Sequence, residues 1–189
     1  MIKVFVPIDD AACSVGANEV AQEIQNQAKS KNLEIEIVRN GSRGMLWLEP
    51  LVEVEIDNVR YGYANVDENK VKELFETNFL TNKNHPNSIG EVDNHEWLKN
   101  QTRVTFQRVG IIDPVNIKDY ENHGGLVGLK NALKLTDSQI VNEVTESGLR
   151  GRGGAGFPAG IKWKTVLNTQ SDQKYVCCNA DEGDSGTFA

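Results

Sequence analysis

Cysteine is scarce in this 189-residue chain: Cys13 stands alone, and Cys177 and Cys178 are adjacent. Three thiols make neither an even disulfide framework nor a metal-ligand spacing, which argues against a disulfide-stapled secreted domain and fits a reducing compartment. Long apolar runs are also missing. None approaches the ~18 residues needed to span a bilayer. The N-terminal MIKVFVPIDD lacks the basic flank, apolar core and cleavage site of a signal peptide. Direct membrane insertion is not expected, and the default location is the cytoplasm. Excess positive charge is the third absence. A formal net charge of −7 argues against nucleic acid as a general partner, because sequence-independent binding neutralises phosphates with clustered Lys and Arg.

What is present is the composition of a globular chain, 39% apolar and 25% charged, enough for one domain or two small ones. Residues 1–81 alternate strand and helix signals. IKVFV suits a buried strand, and GANEVAQEIQNQAKSK sets Ala17, Val20, Ala21, Ile24 and Ala28 on one helical face. LEIEIV alternates apolar with charged residues, so Leu33, Ile35 and Ile37 share one side of a half-covered strand. LVEVEI and VRYGY flank Asp57-Asn58, a two-residue hairpin turn. Asp67 then caps a helix carrying Val71, Leu74 and Phe75. The expected fold class is α/β, with a small sheet covered by helices.

Residues 82–135 read as a linker followed by a helical connector. NKNHPNSIGEVDNHEW is polar and rich in turn formers, whereas NIKDYENHGGLVGLKNALKL looks helical. Residues 136–189 open with Thr136 as the cap of a further helix and Gln139 completing a capping box; Gly148 ends that helix. There follows GLRGRGGAGFPAGIKW, with six glycines and three basic residues in an acidic chain. Successive glycines let several N–H groups converge on one anion. Pro158 at a first helical position starts a helix whose dipole also favours an anion. Arg150, Arg152 and Lys162 add charge. The alternative is a tight connection and nothing more. The segment lacks the Gly-Lys-Ser/Thr ending of a Walker loop, follows a helix rather than the strand of a dinucleotide fingerprint, and occurs once, unlike an RNA-binding Arg-Gly repeat.

Tyr175 to Cys178 reads as a short central strand that buries both thiols. It leads into a polar loop with Asn179, Asp181, Glu182, Asp184 and Ser185. These groups suit the ring edges and hydroxyls of a nucleotide-like cofactor, or form a solvated acidic turn.

GLRGRGGAGFPAGIKW followed by CNADEGDSGTF resembles the FMN- and NADH-binding flavoprotein subunit of complex I and its relatives in NAD-reducing hydrogenases and NAD-dependent formate dehydrogenases. The resemblance implies FMN and NAD as cofactors. Gly151, Arg152, Gly154 and Lys162 would surround the FMN phosphate and ribityl chain. Asn179, Asp181 and Glu182 would contact the flavin, and Phe157 would stack on the NADH adenine. Asp184 stands where complex I usually has glutamate, and GDSGTF is the form of the formate dehydrogenase and hydrogenase branch.

IVRNGSRGMLWLEPLVEVE is similar to a thioredoxin-like ferredoxin domain, which the formate dehydrogenase β subunit carries ahead of its flavin domain. That domain normally holds a [2Fe–2S] cluster on four cysteines. Its second pair falls here on Ser42 and Leu46, and Cys13 is alone and out of register, so the resemblance implies a unit without a cluster, kept for docking or structure.

The implied function is that of an electron-transfer oxidoreductase subunit. It exchanges hydride between NAD(H) and FMN and single electrons with iron–sulfur clusters, and works with other subunits of a formate dehydrogenase, hydrogenase or NADH dehydrogenase complex. The family continues with the rest of the nucleotide site and a C-terminal [4Fe–4S] domain. The 189 residues are therefore expected to be an N-terminal fragment, inactive alone and binding FMN weakly or not at all. The competing reading is a non-catalytic thioredoxin-like adaptor with vestigial flavin motifs.

Overall fold

A computed structural model describes residues 1–178. They fall into two compact units, residues 1–123 and 124–178.

The first unit is built on a four-stranded sheet. Strand β1 (Ile2–Phe5) leads through a single turn, α1 (Asp10–Cys13), into helix α2 (Ala17–Ser30). The face expected from the sequence is the buried one: Ala17, Val20, Ala21, Ile24 and Ala28 all lie in the core. Strand β2 (Ile35–Val38) then pairs in parallel with β1, with Ile2 opposite Ile35. It is an edge strand, and Ile35 and Ile37 are only half-buried. Strands β3 (Val52–Ile56) and β4 (Val59–Tyr63) form an antiparallel hairpin. Asp57 and Asn58 have φ of 52° and 63°, the left-handed pair that matches the natural twist of two strands.

The sheet order is β2-β1-β3-β4, with β3 antiparallel to β1. Helix α3 (Glu68–Glu76) closes the layer, its first turn held by the Asp67 carboxylate accepting the Lys70 N–H at 2.7 Å. Val71, Leu74 and Phe75 join the α2 face and the sheet in one apolar cluster. A mixed sheet of this order with its βαβ crossover and terminal hairpin is the thioredoxin-like arrangement.

Residues 82–123 pack with this unit. The backbone of residues 88–91 runs beside β4, where the Gly62 N–H donates to Gly90 and the Ile89 N–H to Gly62. Glycine is required there: a Cβ on residue 62 would sit 2.8 Å from Val92 Cγ2 and 2.9 Å from Ile89 Cγ1. Val92 and Leu98 are buried with Met45, Leu51 and Ala64 in a second apolar cluster. The stretch read as polar linker thus supplies core residues, spaced too irregularly for periodicity to disclose. The helical run near residue 120 is two short helices, α4 (Ile117–Asn122) and α5 (Val127–Ala132). Gly124-Gly125 separates them; glycine in a helix interior costs about 1 kcal/mol.

The second unit contains α5, α6 (Asp137–Glu146) and α7 (Ala159–Asn168). Thr136 and Gln139 form the reciprocal capping box expected, and Gly148 leaves α6 at φ +67°. Pro158 is the residue before α7 rather than its first member. Tyr175 to Cys178 forms no strand, and both cysteines are exposed. A strand needs a neighbour for its ladder, and the described residues of this unit contain none.

Candidate functional site

The glycine segment of the second unit is a closed loop. After Gly148 the chain turns back on itself: the Gly151 N–H donates to the Phe157 carbonyl and the Ala159 N–H to the Leu149 carbonyl, both at 2.8 Å. Arg150 and Pro158 pair as an antiparallel bridge at its neck. Gly154 and Gly156 take φ of +91° and +58°, which side chains with a Cβ adopt at a cost. Nothing lies within 4 Å of where a Cβ on Gly153 or Gly154 would be. Glycine at 153 and 154 therefore leaves the backbone open to an approaching group.

The charged residues of the loop divide by task. Arg150 turns inward and its Nε donates to the Gly156 carbonyl, fixing the loop. Arg152 Nη1 donates to the Arg150 carbonyl at 2.7 Å, which tethers its guanidinium to the start of the loop. Lys162, one turn into α7, holds its ammonium 5.6 Å from the centre of the Phe157 ring, within cation–π range. Pro158 brings no capping side chain to α7, so the positive end of that helix faces the same loop. Gly151 is thus hydrogen-bonded to Phe157 and Lys162 lies over the Phe157 ring, while Arg152 and Gly154 stand in the same loop. Asn179, Asp181, Glu182 and Asp184 lie outside the described residues. Arg150, which holds the loop shut, has no sequence signal separating it from Arg152.

Two contacts hold α7 in place, one at each end. Gly160 lies against α6, where a Cβ would fall 2.5 Å from Thr145 Oγ1. At the other end the Lys174 ammonium donates to the carbonyls of Val166 and Leu167, capping the negative end of the helix.

For FMN the chemistry fits in kind: open backbone N–H groups, a helix N-terminus and two cations suit a phosphate. For a [2Fe–2S] cluster in the first unit it does not. Cys13 Sγ donates to the Ile8 carbonyl at 3.3 Å. Ser42 Oγ donates to Glu49 Oε1 at 2.7 Å and accepts the Gly44 N–H at 3.0 Å, and Leu46 offers no donor. Among the described residues no group of three or more His, Cys, Asp or Glu is placed to hold a metal. Four thiolate or imidazole ligands are needed.

The loop 40–49 is instead held by ions. Arg43 donates twice to Glu53, Nε to Oε1 and Nη2 to Oε2, each at 2.8 Å, and Nη1 to Asp93 at 2.8 Å. Burial alone would lower the Arg43 pKa, but Glu53 and Asp93 outweigh it and hold it above the usual value. Arg60 completes the cluster, 3.5 Å from Glu53 and 3.5 Å over the Phe5 ring; its burial dominates and lowers its pKa. Glu49 is pushed up by burial, against hydrogen bonds from Ser42 and the Leu51 N–H.

Among known proteins, the NADP-reducing hydrogenase subunit HndC of Solidesulfovibrio fructosivorans is 52% identical over 86 residues, 46% of this chain and 18% of that protein. A NADH-quinone oxidoreductase subunit of Rhizobium meliloti is 49% identical over 86 residues, 45% of this chain and 20% of that protein. The NAD-reducing hydrogenase HoxS subunit alpha of Cupriavidus necator is 52% identical over 60 residues, 32% of this chain and 10% of that protein. The chain therefore spans only a small part of each of these relatives.

Among solved structures, the thioredoxin-like [2Fe-2S] ferredoxin from Aquifex aeolicus has a TM-score of 0.41 at 21% identity, covering 49% of this chain and 93% of that one. A further structure of the wild type gives 0.36 at 22% identity over 41% and 84%. No helix among the described residues is long and apolar enough to cross a membrane. Residues 144–189, which include the whole glycine loop, match the family model of the Nuo51 FMN-binding domain.

Proposed function

We propose that this chain is part of an electron-transfer flavoprotein subunit that exchanges hydride between NAD(H) and FMN and single electrons with iron–sulfur clusters. One coincidence carries the reading: the segment that matches an FMN-binding domain is the segment that folds into a closed glycine loop with Arg152, Lys162 and an uncapped helix start. Gly151, Arg152, Gly154 and Lys162 hold the phosphate and ribityl chain. Phe157, 45% exposed at the rim, stacks on the adenine of NAD(H), and Asn179, Asp181, Glu182 and Asp184 meet the flavin. FMN, when bound, supplies the junction between two-electron and one-electron transfer. The protein's part is to orient the dinucleotide and hold the phosphate.

The finer assignment is an NAD-dependent formate dehydrogenase, in which electrons from formate reach NAD through partner subunits. GDSGTF and the thioredoxin-like unit ahead of the flavin segment support it, and that unit serves docking or structure rather than electron relay. Phe157→Ala in the assembled complex tests the nucleotide half of the site. The expected result is a raised KM for NADH at unchanged FMN content; an unchanged KM contradicts it.

A further inference from the structure

The first unit contains an open pocket of about 550 Å³ that the flavin reading does not use. It lies between the turn after β1 and the loop that carries Ser42 and Leu46, the two places where a cluster would sit in the resembling ferredoxin. Its walls are largely apolar, formed by Ala11, Leu46, Val109, Ile112, Pro114 and the Tyr120 ring.

Asp9 stands in that wall without compensation. Its carboxylate caps no N–H of α1. Its Oδ1 is sealed from solvent with no hydrogen-bond partner, and it has no salt bridge among the described residues. Glu49 lies close enough for the two like charges to repel. Arg108 is the one cation in the wall. It is engaged elsewhere, its Nε donating to the His123 carbonyl at 2.8 Å and its guanidinium 5.0 Å over the Tyr120 ring. A carboxylate that is partly desolvated and unpaired costs free energy until a cation reaches it.

We infer that this pocket receives a lysine or arginine side chain from a partner polypeptide. The aliphatic stem lies along the apolar wall and the cationic head pairs with the carboxylate of half-buried Asp9 through Oδ2, the oxygen that is not sealed. A polypeptide rather than a free amine is indicated by the surface beside it. Leu46 in the pocket adjoins Trp47, which meets Trp97 edge to face at 5.2 Å, and all three side chains are half-exposed. Exposed tryptophans beside a pocket are typical of interface centres.

The test uses the full chain, labelled for amide NMR, and three probes: the N-acetyl methylamides of arginine, lysine and norleucine. The arginine and lysine probes are expected to give saturable shifts at the Gly41, Gly44 and Gly110 amides. Norleucine, which has the stem without the charge, is expected to bind about tenfold more weakly. Asp9→Asn removes that advantage while leaving thermal stability unchanged or raised, because a neutral amide relieves the uncompensated charge. Equal binding of norleucine, absence of shifts at these amides, or unchanged arginine binding to Asp9→Asn would overturn the inference. So would a lowered melting temperature in Asp9→Asn, which would make the carboxylate a part of the fold.

Discussion

Gly160 of α7 lies so close to Thr145 of α6 that a Cβ would be 2.6 Å from the Thr145 Cα. This contact fixes where α7 begins, and α7 begins where the glycine loop ends. A methyl group has nowhere to go, because beside the Thr145 hydroxyl it meets the Thr145 backbone. Gly160→Ala is therefore expected to destabilise the α6–α7 pair by about 1–3 kcal/mol, despite alanine's better helix propensity. Amide exchange in α6 and α7 measures it, and unchanged protection would show that the two helices separate freely.

Glu53 is 1% exposed and bound by Arg43 and Arg60. Removing its charge leaves Arg43 buried with only Asp93 as an ionic partner. Glu53→Gln is expected to cost about 3–5 kcal/mol, read as a lowered denaturation midpoint. A loss below about 1 kcal/mol would mean that water enters the cluster and takes over the charge.

Tyr63 gives a pH signature. Burial pushes its hydroxyl from about 10 up to about 12, and its O–H donates to the Phe79 carbonyl at 3.1 Å. The folded state then holds this proton in a pH range where the unfolded state has lost it. Stability from this group is complete below pH 10 and falls as pH rises from about 10 to about 12, by about 2–3 kcal/mol in all. Comparison of wild type with Tyr63→Phe in denaturant titrations isolates the effect: the phenylalanine variant is expected to lack this decline.

The donor set around Ser42, Leu46 and Cys13 predicts that the chain, incubated with iron and sulfide under reducing conditions, gains no [2Fe–2S] absorption. A stoichiometric cluster spectrum would contradict the account of the first unit.

Much of the first unit was legible because its cues are local. The α2 face, the Asp67 cap and the Asp57-Asn58 turn each follow from residues a few positions apart, and all three are present. The Arg43–Glu53–Asp93 cluster was not, because pairing across 10 and 50 residues leaves no periodic trace and charged residues read as surface. The strand expected at Tyr175 to Cys178 failed for a related reason. Apolar composition gives a segment the tendency to pair, but only a neighbouring strand supplies the ladder. In the glycine segment the residue types are legible, while the division of labour between Arg150, which closes the loop, and Arg152 depends on how the backbone turns back on itself.

The central claim is that the closed loop holds a flavin phosphate, and it is tested most directly by comparing FMN with riboflavin, which differs by that phosphate alone. At millimolar ligand, FMN is expected to shift the amides of residues 151–157 and to bind roughly tenfold more tightly than riboflavin. Arg152→Ala and Lys162→Ala should each shrink the difference. Equal effects of FMN and riboflavin on these amides would contradict the account.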